Sequence, residues 1–579
     1  MNKNLKKCKH VSLIGTLVLF LFLTYLEPSV LAMNGIEKQP NSTTDINTPV
    51  NKYVINLQLN QLTHSVDGFL ALGYTNKAST SFDELYFHLY PNAFKKEGGK
   101  ITVNWVKNEK NKPLDYKIIG KDSTLIEVKL SRRLKPGDKT TILMNFRIKV
   151  PRLQYRFGRW NGTYNLGNAL PIISLYNEEG WNNDPYCRWG ETFNSDFSLY
   201  RVSLTVPESF SVAATGCTVK MLHHKNATKT VYYETGLVRE FALVASKHYK
   251  TISDSWKNIT INSYYFPEHE SRGREALGFA KRAIIDFSEH FGRYPYDEYN
   301  VAETYFGGGM EYPNLVMIGT SLYNSGSTAL LESVVAHETA HQWWYCLVGN
   351  DQCDDPWLDE AFAVYSDVLY HEWKYGPKAG KKHLNLQKFG YILWNGEEVP
   401  LGEGILSFGQ QTYGPLIYNK GSCVLAMLRS LVGDEKFFTI LSTYFNRYKF
   451  KLVELEDFID SAEEVSGIEL DWFFDQWLWD TGYTTYSLQD ALTWETSEGW
   501  KLLMKVTQSN PSFKMPVPTE IILVDNSTKR ARVWMGDEQG TFVLDLNLKP
   551  SCIIIDPSDD ILGAEQYNKK DVEIVSNKQ

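Results

Sequence analysis

From Tyr53 to about Gly236 the chain is written in short apolar runs separated by turn residues. YVINLQLN, FLALGYTN, ELYFHLYPNA, ITVNWV, TLIEVKL, TILMNFRIKV, SLYRVSLTV and TVYYETG are rich in β-branched and aromatic residues, the composition of half-buried strands. They predict a large, mostly antiparallel β-domain over residues 51–255. The period then lengthens. EALGFAKRAIIDFSEHFG, from Glu275 to Gly292, repeats its apolar residues at helical spacing and ends on glycine. After a strand pair at YNVAETYF and NLVMIG, helices are predicted over Tyr418–Leu431, Glu435–Tyr448, Leu455–Ser466 and Asp471–Thr481, within a mostly helical domain over 256–485. KLLMKVTQ, TEIILVD, RARVWMG, TFVLDLN and CIIIDP return to strand character and predict a small β-sandwich over 486–568, with a polar tail over 569–579. The fold class is therefore α+β and multidomain.

The first residues differ from all of this. MNKNLKKCKH is basic, Val11 to Leu26 is almost wholly apolar, and Val30-Leu31-Ala32 has the small residues of a cleavage site. Residues 1–32 read as a signal peptide and 33–50 as a flexible polar linker, which implies a secreted or cell-surface protein. An uncleaved anchor is the alternative, although sixteen apolar residues are short for a span of about twenty. The formal charge of −8 becomes −11 without residues 1–32, which carry four lysines and one glutamate. A surface this acidic argues against nucleic acid as a partner. Six cysteines remain after Cys8, too few for a disulfide scaffold in 579 residues. Cys346 and Cys353 are near enough in sequence to bridge, or to be buried free thiols.

Chemistry concentrates between Ser333 and Asp367. His337, Glu338 and His341 form an HExxH pattern; on a helix the two imidazoles lie one turn apart on one face, with the glutamate beside them. Polar residues Asn324 to Thr328 can cap that helix, Leu330, Leu331, Val334 and Val335 give it an apolar stripe, and Gly349 can end it. A catalytic zinc takes a third protein ligand and keeps one position open, and Glu360 in WLDEAFAVY is the next candidate. The plainer reading is two surface histidines on an amphipathic helix. Asp367, seven residues past Glu360 on the same helical face, is positioned to accept the second ring N–H of a zinc histidine, or to be simply solvated. Trp343 and Trp344 read as packing residues.

GGGMEYP at 307–313, HETAHQWW at 337–344, WLDEAFAVY at 357–365 and YNKG at 418–421 stand in the order and spacing of the aminopeptidase N family of zinc peptidases, and the chain resembles a short, secreted bacterial form of it. The resemblance covers nearly all of the chain after residue 32. It implies a thermolysin-like catalytic domain between a β-rich first domain and a small sandwich, one Zn2+ per chain held by His337, His341 and Glu360, and removal of single residues from peptides with a free N-terminus. It also implies that Glu338 is the general base, that the Tyr418 hydroxyl meets the developing oxyanion, and that Gly308, Gly309, Met310 and Glu311 bind substrate, Glu311 pairing with its α-ammonium.

Pattern alone would read Tyr418 as a core tyrosine and Glu311 as an exposed loop residue. Three departures bear on specificity: Tyr312 stands where the family has Asn, Asp359 and Ala361 replace residues of its WLNEG element, and its further amine-binding Glu or Gln has no clear match, Glu178 or Glu179 being stand-ins. The long helical C-terminal domain of many members has no counterpart in the pattern, which predicts a more open site. A thermolysin-like endopeptidase and a non-catalytic binding protein on the same fold are the competing functions.

Overall fold

The computed structural model describes residues 49–563 and 569–574. The expected signal peptide, almost all of the linker and residues 575–579 of the expected tail lie outside the described residues. Among those described, no helix is long and apolar enough to cross a membrane. The chain divides into two compact units: one holds the chain up to Tyr186 with Ser195–Lys281 and Pro295–Leu331, and the other holds Cys187–Asn194, Arg282–Tyr294 and the chain from Glu332 onward.

In the first unit the predicted strands assemble into sheets. The largest has seven strands in the order Cys217–His224, Thr228–Glu234, Ser198–Pro207, Asn51–Asn60, Ser65–Thr75, Lys139–Lys149 and Lys100–Asn108. It is antiparallel except where Asn51–Asn60 runs parallel to Ser198–Pro207. Alternate residues from Tyr200 to Val206 are buried, so one face of that strand supplies the core, as its period of two requires. A five-stranded sheet follows, ordered Lys250–Trp256, Ile259–Tyr265, Glu298–Thr304, Leu315–Gly319 and Gly309–Tyr312. The division drawn at residue 255 falls inside its first hairpin, where Trp256 pairs with Ile259.

In the second unit the helices carry the weight. The helix expected over 275–292 forms as α1 (Glu270–His290), of which only the part from Arg282 onward belongs to this unit, and the zinc-motif helix as α2 (Thr328–Ala340), which enters it at Glu332. Ser327 caps α2 by accepting from the Leu330 N–H at 3.3 Å. The helix stops at Ala340, not at Gly349, and the chain turns through Trp343, Trp344 and Tyr345, the last at φ +100°. Both indoles are buried and hydrogen-bonded, Trp343 to the Gly292 carbonyl at 2.7 Å and Trp344 to Ser366 Oγ at 2.9 Å, and these anchors fix the early exit. Cys346 and Cys353 are both buried, and neither is in a disulfide.

Next come α3 (Trp357–Tyr375), α4 (Pro377–Ile392), α5 (Gly421–Val432), α6 (Asp434–Tyr448) and α7 (Leu455–Ser466). Every residue of α3 from Trp357 to Tyr370 is buried, so this helix is enclosed on all sides over that stretch, its polar Asp359, Glu360, Ser366 and Asp367 included. Phe362 packs edge-on to Phe458 at 4.8 Å and Tyr444 to Phe458 at 5.2 Å, joining α3, α6 and α7 through contacts worth about 0.5–1.5 kcal/mol each. Two four-stranded sheets close the chain, one ordered Gln539–Leu546, Gly499–Gln508, Tyr486–Thr496, Glu573–Ile574, the other Thr528–Met535, Met515–Leu523, Pro550–Ile555, Lys569–Asp571.

Candidate metal centre

Helix α2 presents His337, His341 follows directly after its last residue with its N–H on the His337 carbonyl at 3.3 Å, and the first turn of α3 presents Glu360. The Nε2 atoms of the two histidines stand 3.2 Å apart, and each lies 3.3 Å from Glu360 Oε2. Four ligands at about 2.0–2.1 Å around a tetrahedral zinc are separated from one another by about 3.3 Å, so this triangle has the edge that ion demands. Glu360 Oε2 is buried and has no hydrogen-bond partner, which leaves it available to a cation. The residues therefore fit zinc.

The ring of His341 is oriented by its other nitrogen, Nδ1, which faces the Trp344 carbonyl at 3.2 Å; with the proton there, Nε2 keeps its lone pair for the centre. Burial alone would raise the Glu360 carboxyl. The neighbouring imidazoles of His341 and His337, each with Nε2 3.3 Å from Oε2, outweigh that cost and hold it well below the usual carboxylate range. Glu338, next to His337 on α2, is buried at 5% exposure.

Tyr418 arrives from a wide π-helical turn, Gly414–Lys420, that leads into α5. Its hydroxyl donates to Glu360 Oε1, and its ring lies 5.9 Å from that of His337, nearly parallel. Burial first, and then the negative charges of Glu360 and Glu191, push its hydroxyl well above the ordinary value, so it stays a proton donor. The turn is pinned from beneath: Glu398 accepts from Lys420 Nζ at 3.2 Å, from Tyr391 at 2.6 Å and from the Gly482 N–H at 2.7 Å, and the Lys420 side chain is wholly buried. Gly421, next in the chain, closes the approach of α5 to α3. A Cβ there would stand 2.8 Å from Ala361 Cβ and 2.9 Å from Trp357 Cδ1, too close for any larger residue without movement.

The second unit thus brings together His337, Glu338, His341, Glu360 and Tyr418. Gly308, Gly309, Met310 and Glu311 belong to the first unit. There Gly309–Tyr312 is the edge strand of the five-stranded sheet, Met310 and Glu311 are buried, and Gly308 has φ +95°, which glycine alone adopts freely. Glu311 is therefore a buried strand residue.

Asp367 corrects an expectation. It does not serve a zinc histidine: its Oδ2 is bonded by His383 Nε2 at 2.6 Å, and His371 Nδ1 lies 3.1 Å from Oδ1. Seven residues return to the same helical face but climb about 10.5 Å along the axis, beyond the reach of a side chain to the centre. Of two further residues near the centre, one was named only as a departure from the family element and the other escaped the sequence reading. Asp359 is fully buried, accepts from Gln352 Nε2 and from the Glu360 N–H at 2.8 Å each, and has a carboxylate oxygen within 4.8 Å of a His341 ring nitrogen. Glu191 acts on Tyr418 from the Cys187–Asn194 excursion, whereas Glu178 and Glu179 are exposed in a hairpin of the first unit. Asp359 was visible as a departure from the family element; nothing in the pattern pointed to Glu191.

The profile of the peptidase family M1 domain matches residues 275–477. The chain is 26% identical over 287 residues to a Sulfurisphaera tokodaii protein named "Probable aminopeptidase 2", covering 47% of this chain and 37% of that one. It is 28% identical over 243 residues to aminopeptidase N of Lactococcus lactis, covering 37% and 27%. The chain thus spans less than two fifths of the length of these relatives. Among solved structures, a variant of an M1 zinc metallopeptidase from Deinococcus radiodurans superposes with a TM-score of 0.57 at 20% identity, over 74% of this chain and 94% of that one, and so shares the fold. Residues 275–477, which match the peptidase family M1 domain, contain the two histidines, Glu338, Glu360 and Tyr418, and this part of the chain is similar to aminopeptidase N-like zinc metallopeptidases.

Proposed function

We propose that this protein is an exported zinc aminopeptidase that releases single residues from peptides with a free N-terminus. The observation that carries the reading is the triangle of His337, His341 and Glu360 with a protonated tyrosine hydroxyl on its rim. Zinc bound there supplies a Lewis acid that polarises a carbonyl and lowers the pKa of water from about 16 toward 7. Glu338 takes the proton of the attacking water and delivers it to the departing amine, so the peptide bond breaks with protons balanced. Tyr418 donates to the carbonyl oxygen as negative charge gathers on it.

Glu311 pairs with the substrate ammonium, so a blocked or mid-chain peptide would leave a buried carboxylate without its cation. Export rests on the basic and then apolar character of residues 1–32. The test compares aminoacyl anilides with their N-acetylated forms. Hydrolysis confined to the free amine is expected; equal turnover of both, or cleavage inside blocked peptides, would assign the site to an endopeptidase instead.

A further inference from the structure

Two turns beyond Glu360, helix α3 carries a second set of metal-competent side chains. Asp367 is buried at 5% exposure. His383, from α4, donates to its Oδ2 at 2.6 Å. The other oxygen, Oδ1, lies 3.1 Å from His371 Nδ1 yet makes no hydrogen bond, because that nitrogen faces the Asp367 backbone carbonyl at 2.9 Å. The two imidazoles stack at 4.3 Å with planes only 7° apart, and one donor atom from each of the three residues lies within 4.8 Å of the other two. Their side chains are 12% and 14% exposed, so solvent reaches the histidine side of the cluster while the carboxylate is enclosed.

As a plain hydrogen-bonded group the cluster is poorly satisfied. A buried carboxylate oxygen without a partner is a standing cost of about 1–3 kcal/mol, and parallel rings bring two imidazoles against one another where charging both is unfavourable. A divalent ion removes both problems, since it meets the orphaned oxygen and needs the imidazoles neutral. Two imidazoles and one carboxylate favour zinc or cobalt over magnesium or calcium, which prefer oxygen ligands. We infer that Asp367, His371 and His383 form a second divalent-metal site, apart from the catalytic centre, that ties α4 to α3.

Metal content decides it. The full protein is stripped with a chelator, dialysed to equilibrium against Zn2+, and analysed for zinc per chain by mass spectrometry; replacement by Co2+ reports imidazole ligation through its visible absorption. Two zinc ions per chain are expected in the wild type, one in His383→Ala, one in His371→Ala and one in Glu360→Gln. The His383→Ala protein with one zinc should hydrolyse the anilide at the wild-type rate and lose the increase in melting temperature that the second equivalent gives. His383→Gln keeps the volume of the side chain and guards against a folding failure. A wild type that binds a single zinc, lost in Glu360→Gln, overturns the second site and leaves the catalytic one standing. Histidine variants that still bind two overturn the ligand assignment.

Discussion

Gly421→Ala puts two physical effects in opposition, and the structure decides between them. Gly421 sits at the start of α5 with ordinary helical angles, φ −56° and ψ −45°, so by helix propensity an alanine should stabilise by about 0.5–1 kcal/mol. Its Cβ would, however, stand 2.8 Å from Ala361 Cβ and 2.9 Å from Trp357 Cδ1, against normal carbon contacts of about 3.5–4.0 Å. Both neighbours are buried, and the Ala361 methyl moves only with the backbone of α3. Relief needs a shift of about 1 Å between α5 and α3, at an overpacking cost near the upper end of about 1–3 kcal/mol. The net expectation is a loss of about 2 kcal/mol. Because Tyr418 lies just before α5 and Glu360 just before Ala361, the same shift separates the hydroxyl from the centre, and a misplacement of about 1 Å can reduce kcat by about 10^2. Urea unfolding and anilide turnover measure the two consequences. Adding Ala361→Gly removes the nearest clash and should recover part of both. A Gly421→Ala protein as stable and as fast as the wild type would show that propensity wins and that the close approach does not constrain the site.

Tyr418→Phe should keep its zinc and lose about 3 kcal/mol of transition-state stabilisation, roughly 10^2 in kcat with little change in KM; unchanged kcat would remove the tyrosine from the reaction. Glu398→Gln leaves the buried Lys420 ammonium without its counter-charge and should cost about 3 kcal/mol in unfolding experiments, most of it regained when Lys420→Met is added; equal single and double variants would contradict the pairing. Asp355 has its carboxyl pushed up to about 7 by burial and by the charges of Asp351, Asp354, Glu456 and Glu454. Between about pH 4 and 7 the unfolded chain has released a proton that the fold retains, so this residue lowers stability as pH rises, by at most about 4 kcal/mol. Asp355→Asn should therefore raise the urea midpoint at pH 8 and leave it nearly unchanged near pH 4; a gain of the same size at both would refute the assignment.

What could be read from the sequence followed from local period. The four-residue interval between His337 and His341 sets one helical face, and the β-branched and aromatic runs of the first half mark its strands without saying which pair with which. Asp367 shows where period misleads: an angular match says nothing of axial distance, and the partners it found, His371 and His383, come from one turn further on and from another helix. The end of α2 was set by two buried indoles whose anchors, Gly292 and Ser366, lie far away in sequence. Glu191 depends on an eight-residue excursion of the chain, Cys187–Asn194, into the second unit, and no local signal encodes such a return.

Helix α3 has no free side over fourteen residues, and it bears the carboxylate that completes the centre. Its position is held by packing on every side, so little conformational entropy should be lost when an ion is bound. The same rigidity limits where new preferences among peptides can arise. Changes on α3 would disturb the whole interior, so any drift in selectivity is expected from residues off this helix.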